Sequence, residues 1–481
     1  MEKTKILFVA AEAVPFIKTG GLADVVGSLP KYFDPERFDV RVILPKYECM
    51  KEAYKTKLTY KTHFYMNLAW RSQYVGVLET VCDGITFYFI DNEYYFRGAH
   101  PYGDARWDME KFAFFSRAVL SVLPSIGFRP DVLHCHDWQA AMVPVYLNGD
   151  FQQNPFYQGI KTVMTIHNLK FQGVWCREAL GDVLGLPDEY FTSDKMEAYG
   201  DVNVLKGGIV YADRVTTVSD SYAQEIRTSF YGEGLDGLLR AKANVLSGIV
   251  NGIDYGVFDP AKDPQIAVNY TAETVGTVKG KNKLALQKEL GLREDPNVML
   301  IGLVSRLTDQ KGLDLVARVL EQLCYDAIQL VVLGSGEQRY EEMFRYFAGR
   351  FPGKVSANIC YDDALSHRIY ASCDAFLMPS LFEPCGLSQL ISLRYGTLPI
   401  VRETGGLKDT VIPYNQYEET GTGFSFANYN AHEMMATVRY AERVFYDYPA
   451  SWNGLVQRAM KADFSWNASA KKYDALYGEL K

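Results

Sequence analysis

The segment Thr19-Gly20-Gly21-Leu22-Ala23-Asp24 returns toward the other end of the chain as Thr404-Gly405-Gly406-Leu407-Lys408-Asp409. Each copy follows an apolar, strand-like run and precedes a helical pattern. A chain that builds the same strand, Gly-Gly, helix corner twice is constrained toward two α/β domains. Its 481 residues require at least two cores, because single cores stop growing at about 250–300 residues.

The flanking pattern agrees. Lys5 to Ala10, Val40 to Leu44, Asp131 to Cys135, Lys161 to Ile166 and Arg214 to Val218 read as buried strands. Helical segments such as Leu22 to Tyr32 and Val202 to Ala212 lie between them. That alternation predicts a parallel sheet covered by helices on both faces. Leu58 to Ile90 alternates polar and apolar residues instead, which predicts antiparallel hairpins. The alternation restarts after Asn251-Gly252-Ile253-Asp254, with Val298 to Val304, Gln329 to Leu333, Lys354 to Cys360, Cys373 to Met378 and Leu398 to Val401 as strands. Residues 261–283 look like a polar connection. A hinge is expected near residues 245–255, and Asn467 to Leu480 is a helix placed to fold back across it. The expected domains are 1–250 with about 462–481, and 251–461.

Charge narrows the partners. The net charge is −8, which argues against a nucleic-acid partner, since phosphate backbones need a basic face. No run approaches the 18 apolar residues of a membrane span, and no signal peptide is evident, so a cytoplasmic protein is expected. Eight scattered cysteines without a Cys-x-x-Cys fit buried thiols in a reducing compartment.

Six segments carry chemistry. Gly20-Gly21 and Gly405-Gly406 precede helices, where backbone N–H groups and the dipole favour an anion; a tight turn would use the same glycines. Lys18 adds a full charge to the first copy. Ser305-Arg306-Leu307-Thr308-Asp309-Gln310-Lys311-Gly312 follows a strand and offers two cations that could neutralise a leaving diphosphate. No Asp-x-Asp occurs, so the usual metal-holding motif of many sugar transferases is missing. Phe382-Glu383-Pro384-Cys385-Gly386-Leu387-Ser388 places Glu383 at a strand's carboxyl end, where it could hold sugar hydroxyls or steady oxocarbenium-like charge, or simply cap a helix. His134-Cys135-His136-Asp137-Trp138 and His167-Asn168 end two further strands. Hydrogen bonds to sugar, with Trp138 stacking, suit them better than a metal site. No Gly-x-Ser-x-Gly elbow supports a Ser-His-Asp hydrolase.

Together these segments resemble the bacterial glycogen synthase and plant starch synthase family of retaining glycosyltransferases. The resemblance includes Lys18 to Gly27, His136-Asp137-Trp138, His167-Asn168-Leu169, Asn251 to Asp254, Ser305 to Gly312, Glu383 to Leu387 and Arg394 to Val401, in order along nearly the whole chain. It implies a GT-B fold, with two Rossmann-like doubly wound domains facing a deep cleft and the C-terminal helix crossing back to the first domain. It implies transfer of glucose from ADP-glucose to the non-reducing end of an α-1,4-glucan, glycogen or a maltooligosaccharide, with retention and without a metal or other cofactor. The catalytic candidates are then Lys18, His167, Arg306, Lys311 and Glu383. Donor-binding candidates are Gly20, Gly21, Asp137, Asn251, Tyr361, Cys385, Gly386, Leu387, Ser388, Thr404, Gly405 and Gly406, with Tyr361 stacking on adenine. Tyr95, Trp138 and Asn168 would face the acceptor.

Two departures qualify the match. Ser388 stands where many relatives have Thr. Ile391, eight residues after Glu383, occupies the place of the second acid of the wider retaining superfamily, which argues against its sucrose and mannosyl branches.

Overall fold

The computed structural model describes residues 3–480. It contains two compact units. The first comprises the chain up to Val218, then Ala223–Ile249, then the chain from Trp466 onward; the second comprises Ser219–Tyr222 and Val250–Ser465. The expected domain ends at residues 1 and 481 lie outside the described residues.

The first unit is built on β1 (Thr4–Val9), β2 (Phe38–Pro45), β3 (Thr59–Leu68), β4 (Arg71–Cys82), β5 (Ile85–Asp91), β6 (Val132–His136), β7 (Lys161–Ile166), β11 (Arg214–Thr217) and β12 (Leu246–Gly248). A separate small sheet holds β8 (Val174–Cys176), β9 (Glu197–Ala198) and β10 (Asp201–Asn203). The main sheet runs β12-β11-β7-β6-β1-β2-β5-β4-β3. Its pairs are parallel except β3–β4 and β4–β5, which are antiparallel. β1 is central, and Ile6, Leu7, Phe8 and Val9 are all fully buried. That burial on both faces is why its sequence is continuously apolar instead of alternating. The sheet order reverses direction between β1 and β6, so loops leaving these strands open a crevice.

The expected helix over Leu22 to Tyr32 is two pieces, an α-helix at Gly21–Ser28 and a 3₁₀ turn at Leu29–Tyr32. Pro30 lacks the amide that an α-helix would use there. The C-terminal helix Trp466–Gly478 belongs to the first unit. It buries Trp466, Tyr473 and Tyr477 in one core with Ile6, Phe8 and Phe33. Each such buried ring contributes about 1.5–3 kcal/mol. Asp474 takes both guanidinium nitrogens of Arg37, which fixes the helix in register.

The second unit holds β13 (Met299–Val304), β14 (Ile328–Leu333), β15 (Val355–Asn358), β16 (Ala375–Met378), β17 (Leu398–Arg402) and β18 (Phe424–Phe426). All are parallel, in the order β15-β14-β13-β16-β17-β18. This is the doubly wound dinucleotide-fold order, with its switch point between β13 and β16.

The polar connection expected over residues 261–283 is instead partly a helix, Val275–Glu289. Its buried face carries Lys279, Asn282, Lys283 and Gln287, so apolar periodicity gave no signal. Those polar groups are satisfied inside. Lys279 Nζ donates to Thr397 Oγ1 at 2.7 Å and to the Tyr395 carbonyl at 2.8 Å, and Lys283 Nζ pairs with Asp374 at 2.7 Å. Burial pushes the Lys279 pKa down to about 7. The candidate helix at Val202 likewise begins later, at Val204, where the Asn203 side chain caps it by accepting from Lys206 N at 2.9 Å.

Candidate active site

In the first unit the crevice-facing loops after β1, β6 and β7 bring several polar groups to one edge. Glu12, two residues past Ala10, is buried. Its carboxylate accepts from Thr19 N, from Thr19 Oγ1 at 2.7 Å and from the Tyr102 hydroxyl. The loop carrying Lys18 is thus tied down by its neighbour Thr19. Lys18 Nζ pairs with Asp24 Oδ1 at 2.8 Å, on the first turn of helix Gly21–Ser28. The Lys18 side chain keeps 37% of its exposure, so the pair is weak and exchangeable. A Cβ on Gly20 would meet nothing within 4 Å. Gly20 therefore opens on free space beside the N-terminus of that helix, as close approach by a ligand requires.

Asp137 leaves β6 with φ of 56°, in the left-handed region, at a cost of about 1–2 kcal/mol for a non-glycine residue. Its Oδ1 accepts from His167 N at 2.7 Å and Asn168 N at 3.4 Å. Burial pushes its carboxyl up to about 7, against the pull of those two N–H groups. His167 Nε2 lies 3.0 Å from His136 Nδ1. His134 Nδ1 meets the Tyr477 hydroxyl at 2.7 Å, and its Nε2 meets Thr165 Oγ1 at 2.6 Å. Burial pushes His134 and His167 down to about 3 and His136 well below its ordinary value, so all three rings are neutral. Asn168 is partly exposed, with Oδ1 accepting from Lys170 N at 3.1 Å. Trp138 is partly exposed too, but Phe112 meets its ring edge-to-face at 5.2 Å. Gly173 presses against the indole so closely that a Cβ there would overlap it.

Contrary to expectation, Tyr95 does not face an acceptor. Its ring is fully buried, stacked on Phe114 at 4.6 Å with its hydroxyl donating to Glu110 Oε1 at 2.8 Å. It presents no surface to an acceptor. The adjacent Tyr94 is 49% exposed.

In the second unit the loops after β13 and β16 meet at the switch point. Gly312 has φ of 70°, and a Cβ there would overlap the Pro379 carbonyl oxygen. Leu381 N donates to the Gln310 carbonyl at 2.9 Å, which holds the loops together. Lys311 Nζ lies 2.7 Å from Glu383 Oε2, and Ser380 Oγ donates to the same oxygen at 3.0 Å. Arg306 is exposed and pairs with no acid among the described residues. Its loop is braced from outside, because Asp309 accepts from Arg339 and from the Tyr340 hydroxyl.

Gly405 and Gly406 have a different environment from Gly20. Gly405 has φ of 45°, and Cβ atoms on the pair would overlap the carbonyl oxygens of Glu383 and Cys385. Gly406 N donates to the Glu383 carbonyl at 3.0 Å. This turn therefore clamps the Glu383 loop from behind. Thr404 is buried at its start. Gly386 has φ of 73°. Cys385 is buried, and burial pushes its thiol up to about 12, so it packs as an apolar group. Asn251 donates its backbone N–H to that thiol and leaves its own buried Oδ1 without a partner among the described residues. Leu387 is half-buried ahead of helix Ser388–Arg394, and the Ser388 hydroxyl bonds to Tyr370. Tyr361 is 79% exposed after β15, in a position open to stacking.

Glu12 lies outside every sequence motif, and His136 lies within one without being a candidate site residue. Glu12 follows a strand's carboxyl end, the same signal that marked Glu383. Among the described residues, no group of three or more His, Cys, Asp or Glu side chains is arranged to hold a metal, and no helix is long and apolar enough to cross a membrane.

Comparison with known proteins supplies the family. The family described as "Starch synthase catalytic domain" matches residues 5–241, and "Glycosyl transferases group 1" matches residues 282–443. The chain is 66% identical over 475 residues to a glycogen synthase of Lachnospira eligens, covering 99% of both chains. It is 60% identical to one of Lachnoclostridium phytofermentans, covering 99% of this chain and 100% of that one. Among solved structures, the catalytic domain of starch synthase IV from Arabidopsis thaliana, bound to ADP and acarbose, superposes with a TM-score of 0.92. It is 32% identical and covers 100% of this chain and 99% of its own.

Proposed function

The chain belongs to the glycogen synthase family of glycosyltransferases with the GT-B fold, and on that premise we propose that it extends α-1,4-glucans from ADP-glucose with retention of configuration. The observation that carries the reading is at the β13–β16 switch point, where Lys311 and the exposed Arg306 accompany the buried carboxylate of Glu383. Two cations beside one carboxylate suit a donor that is anionic at its diphosphate and becomes cationic at its anomeric carbon.

The groups then divide the work. Arg306 and Lys311 hold the diphosphate and stabilise the charge that grows as the sugar–phosphate bond breaks. Lys18 adds a third cation. Glu383 faces the sugar and steadies developing oxocarbenium charge. The acceptor hydroxyl attacks from the face that ADP leaves, forming the new C–O bond while its proton passes to the departing phosphate oxygen. The transfer uses neither a carboxylate nucleophile nor a metal. Asp137, His167 and Asn168 contact sugar hydroxyls, with Trp138 toward the acceptor and Tyr361 against adenine. The setting is cytoplasmic, where the eight free thiols, two of them exposed, stay reduced.

A panel of nucleotide-sugar donors carrying radiolabelled glucose, each incubated with glycogen, tests the reading. ADP-glucose should label the polymer most efficiently. Equal or better labelling from UDP-glucose would overturn the donor assignment, and no labelling from any donor would overturn the activity.

A further inference from the structure

The short contact between His136 Nδ1 and His167 Nε2 needs one proton, and the surroundings decide which ring supplies it. The nitrogens are 3.0 Å apart. Both rings are neutral, so each has one N–H and one bare nitrogen. Two arrangements fit. If His136 Nδ1–H donates, His136 Nε2 is bare and His167 carries its proton on Nδ1. If His167 Nε2–H donates, His136 Nε2 carries a proton and His167 Nδ1 is bare.

His136 Nε2 is buried and has no partner among the described residues. Its ring packs against those of His134 at 4.3 Å and Phe8 at 5.2 Å, which also touch each other at 4.7 Å. His134 cannot serve as that partner, because Tyr477 and Thr165 occupy both of its nitrogens. The first arrangement leaves a bare acceptor in this pocket, and the second leaves an orphaned N–H. Orphaned buried N–H groups are the rarer case in folded proteins, so the first arrangement is favoured.

We propose that His136 is a positioning residue whose Nδ1–H donates to His167 Nε2, fixing His167 as the Nδ1-protonated tautomer so that it offers a neutral donor to a sugar hydroxyl oxygen. His167 is then held at two points, its backbone N by Asp137 Oδ1 at 2.7 Å and its ring by His136. Its Nδ1 has no partner among the described residues and is left for the ligand. The proposal rests on His167 contacting sugar.

The test is a long-range ¹H–¹⁵N correlation spectrum of the full chain labelled at its seven histidines, with His167 assigned by its loss in His167→Gln. The expected spectrum shows Nδ1 protonated and Nε2 bare in His167. His136→Phe should release that fixed pattern and lower kcat about tenfold, roughly the factor one net hydrogen bond carries, with KM for glucan nearly unchanged. His136→Asn places an amide N–H where Nδ1–H stood and should restore most of the rate. A wild-type spectrum with His167 protonated at Nε2 overturns the proposal even if the variants fail to fold. So does a His136→Phe enzyme whose tautomer and kcat are unchanged. Full turnover by His167→Gln would instead refute the sugar contact, while the spectrum would still report which ring donates.

Discussion

Lys311 Nζ and Glu383 Oε2 are 2.7 Å apart, with side chains only 17% and 8% exposed. The pair joins the loops after β13 and β16, and it sets a cation beside the carboxylate at the centre of the proposed site. Removing either partner strands the other in a poorly solvated place. Lys311→Ala should therefore lower the melting temperature as well as turnover. The stability loss should approach about 3 kcal/mol, the lower range for a broken buried pair. Arg306→Ala removes an exposed side chain and should leave stability within about 0.5 kcal/mol. Both should reduce kcat by about a hundredfold, the scale of a lost oxyanion donor. Calorimetry beside steady-state kinetics separates the two effects.

Lys18→Ala should damage kcat more than donor KM, because its exposed pair with Asp24 is free to exchange for substrate charge. Glu12→Gln should mimic part of that loss at a distance, since Glu12 holds Thr19 at both its N–H and its hydroxyl. Kinetics of the double variant provide the check. A combined effect well short of the product of the single effects means that Glu12 acts through the Lys18 loop.

The two Gly-Gly turns should respond differently to alanine. Gly405→Ala adds a Cβ against the Glu383 carbonyl at a positive φ, so both stability and activity should fall, with about 1 kcal/mol from the backbone term alone. Gly20→Ala meets open space and should cost at most about 1 kcal/mol as a changed helix cap, while still impairing turnover. Thermal melts and initial rates for the two variants test the contrast.

The neutral imidazoles make stability depend on acid. His134 and His167 are held at about 3 in the folded protein, against about 6.5 when unfolded. The unfolded state binds the extra protons between these values. Their stabilisation is therefore complete above about pH 6.5 and is lost as the pH falls toward 3. Asp137, raised to about 7, acts the other way, favouring the folded state below pH 7. It is one group against three, since His136 shifts in the histidine direction as well. Urea midpoints should drop between pH 7.5 and pH 5, and His134→Gln should drop less.

Much of this was legible in the sequence because strand ends mark chemistry in doubly wound sheets. The central strands, the Arg306 to Gly312 loop, Glu383 and the repeated Gly-Gly corner all followed from apolar runs and what comes after them. The rest depends on packing that spacing along the chain does not carry. The helix Val275–Glu289 carries no apolar periodicity because it buries Lys279 and Gln287 on its inner face. Tyr95 is expected to face the acceptor, but a sequence does not tell a sugar-facing tyrosine from one packed on Phe114. The Gly405-Gly406 turn suggested a phosphate site, yet its crowding against the Glu383 and Cys385 carbonyls is enough to require glycine. His136 fell inside a motif, but its contact with His167 depends on β6 and β7 lying side by side, which spacing along the chain does not reveal.

The most direct test of the central claim follows the anomeric proton of the new linkage by NMR while ADP-glucose and a maltooligosaccharide react. Retaining transfer predicts α-linked glucose appearing from the first time points, one ADP for each linkage, and both signals rising about a hundredfold more slowly in Lys311→Ala. A β-linkage, or ADP release without elongation, would contradict it.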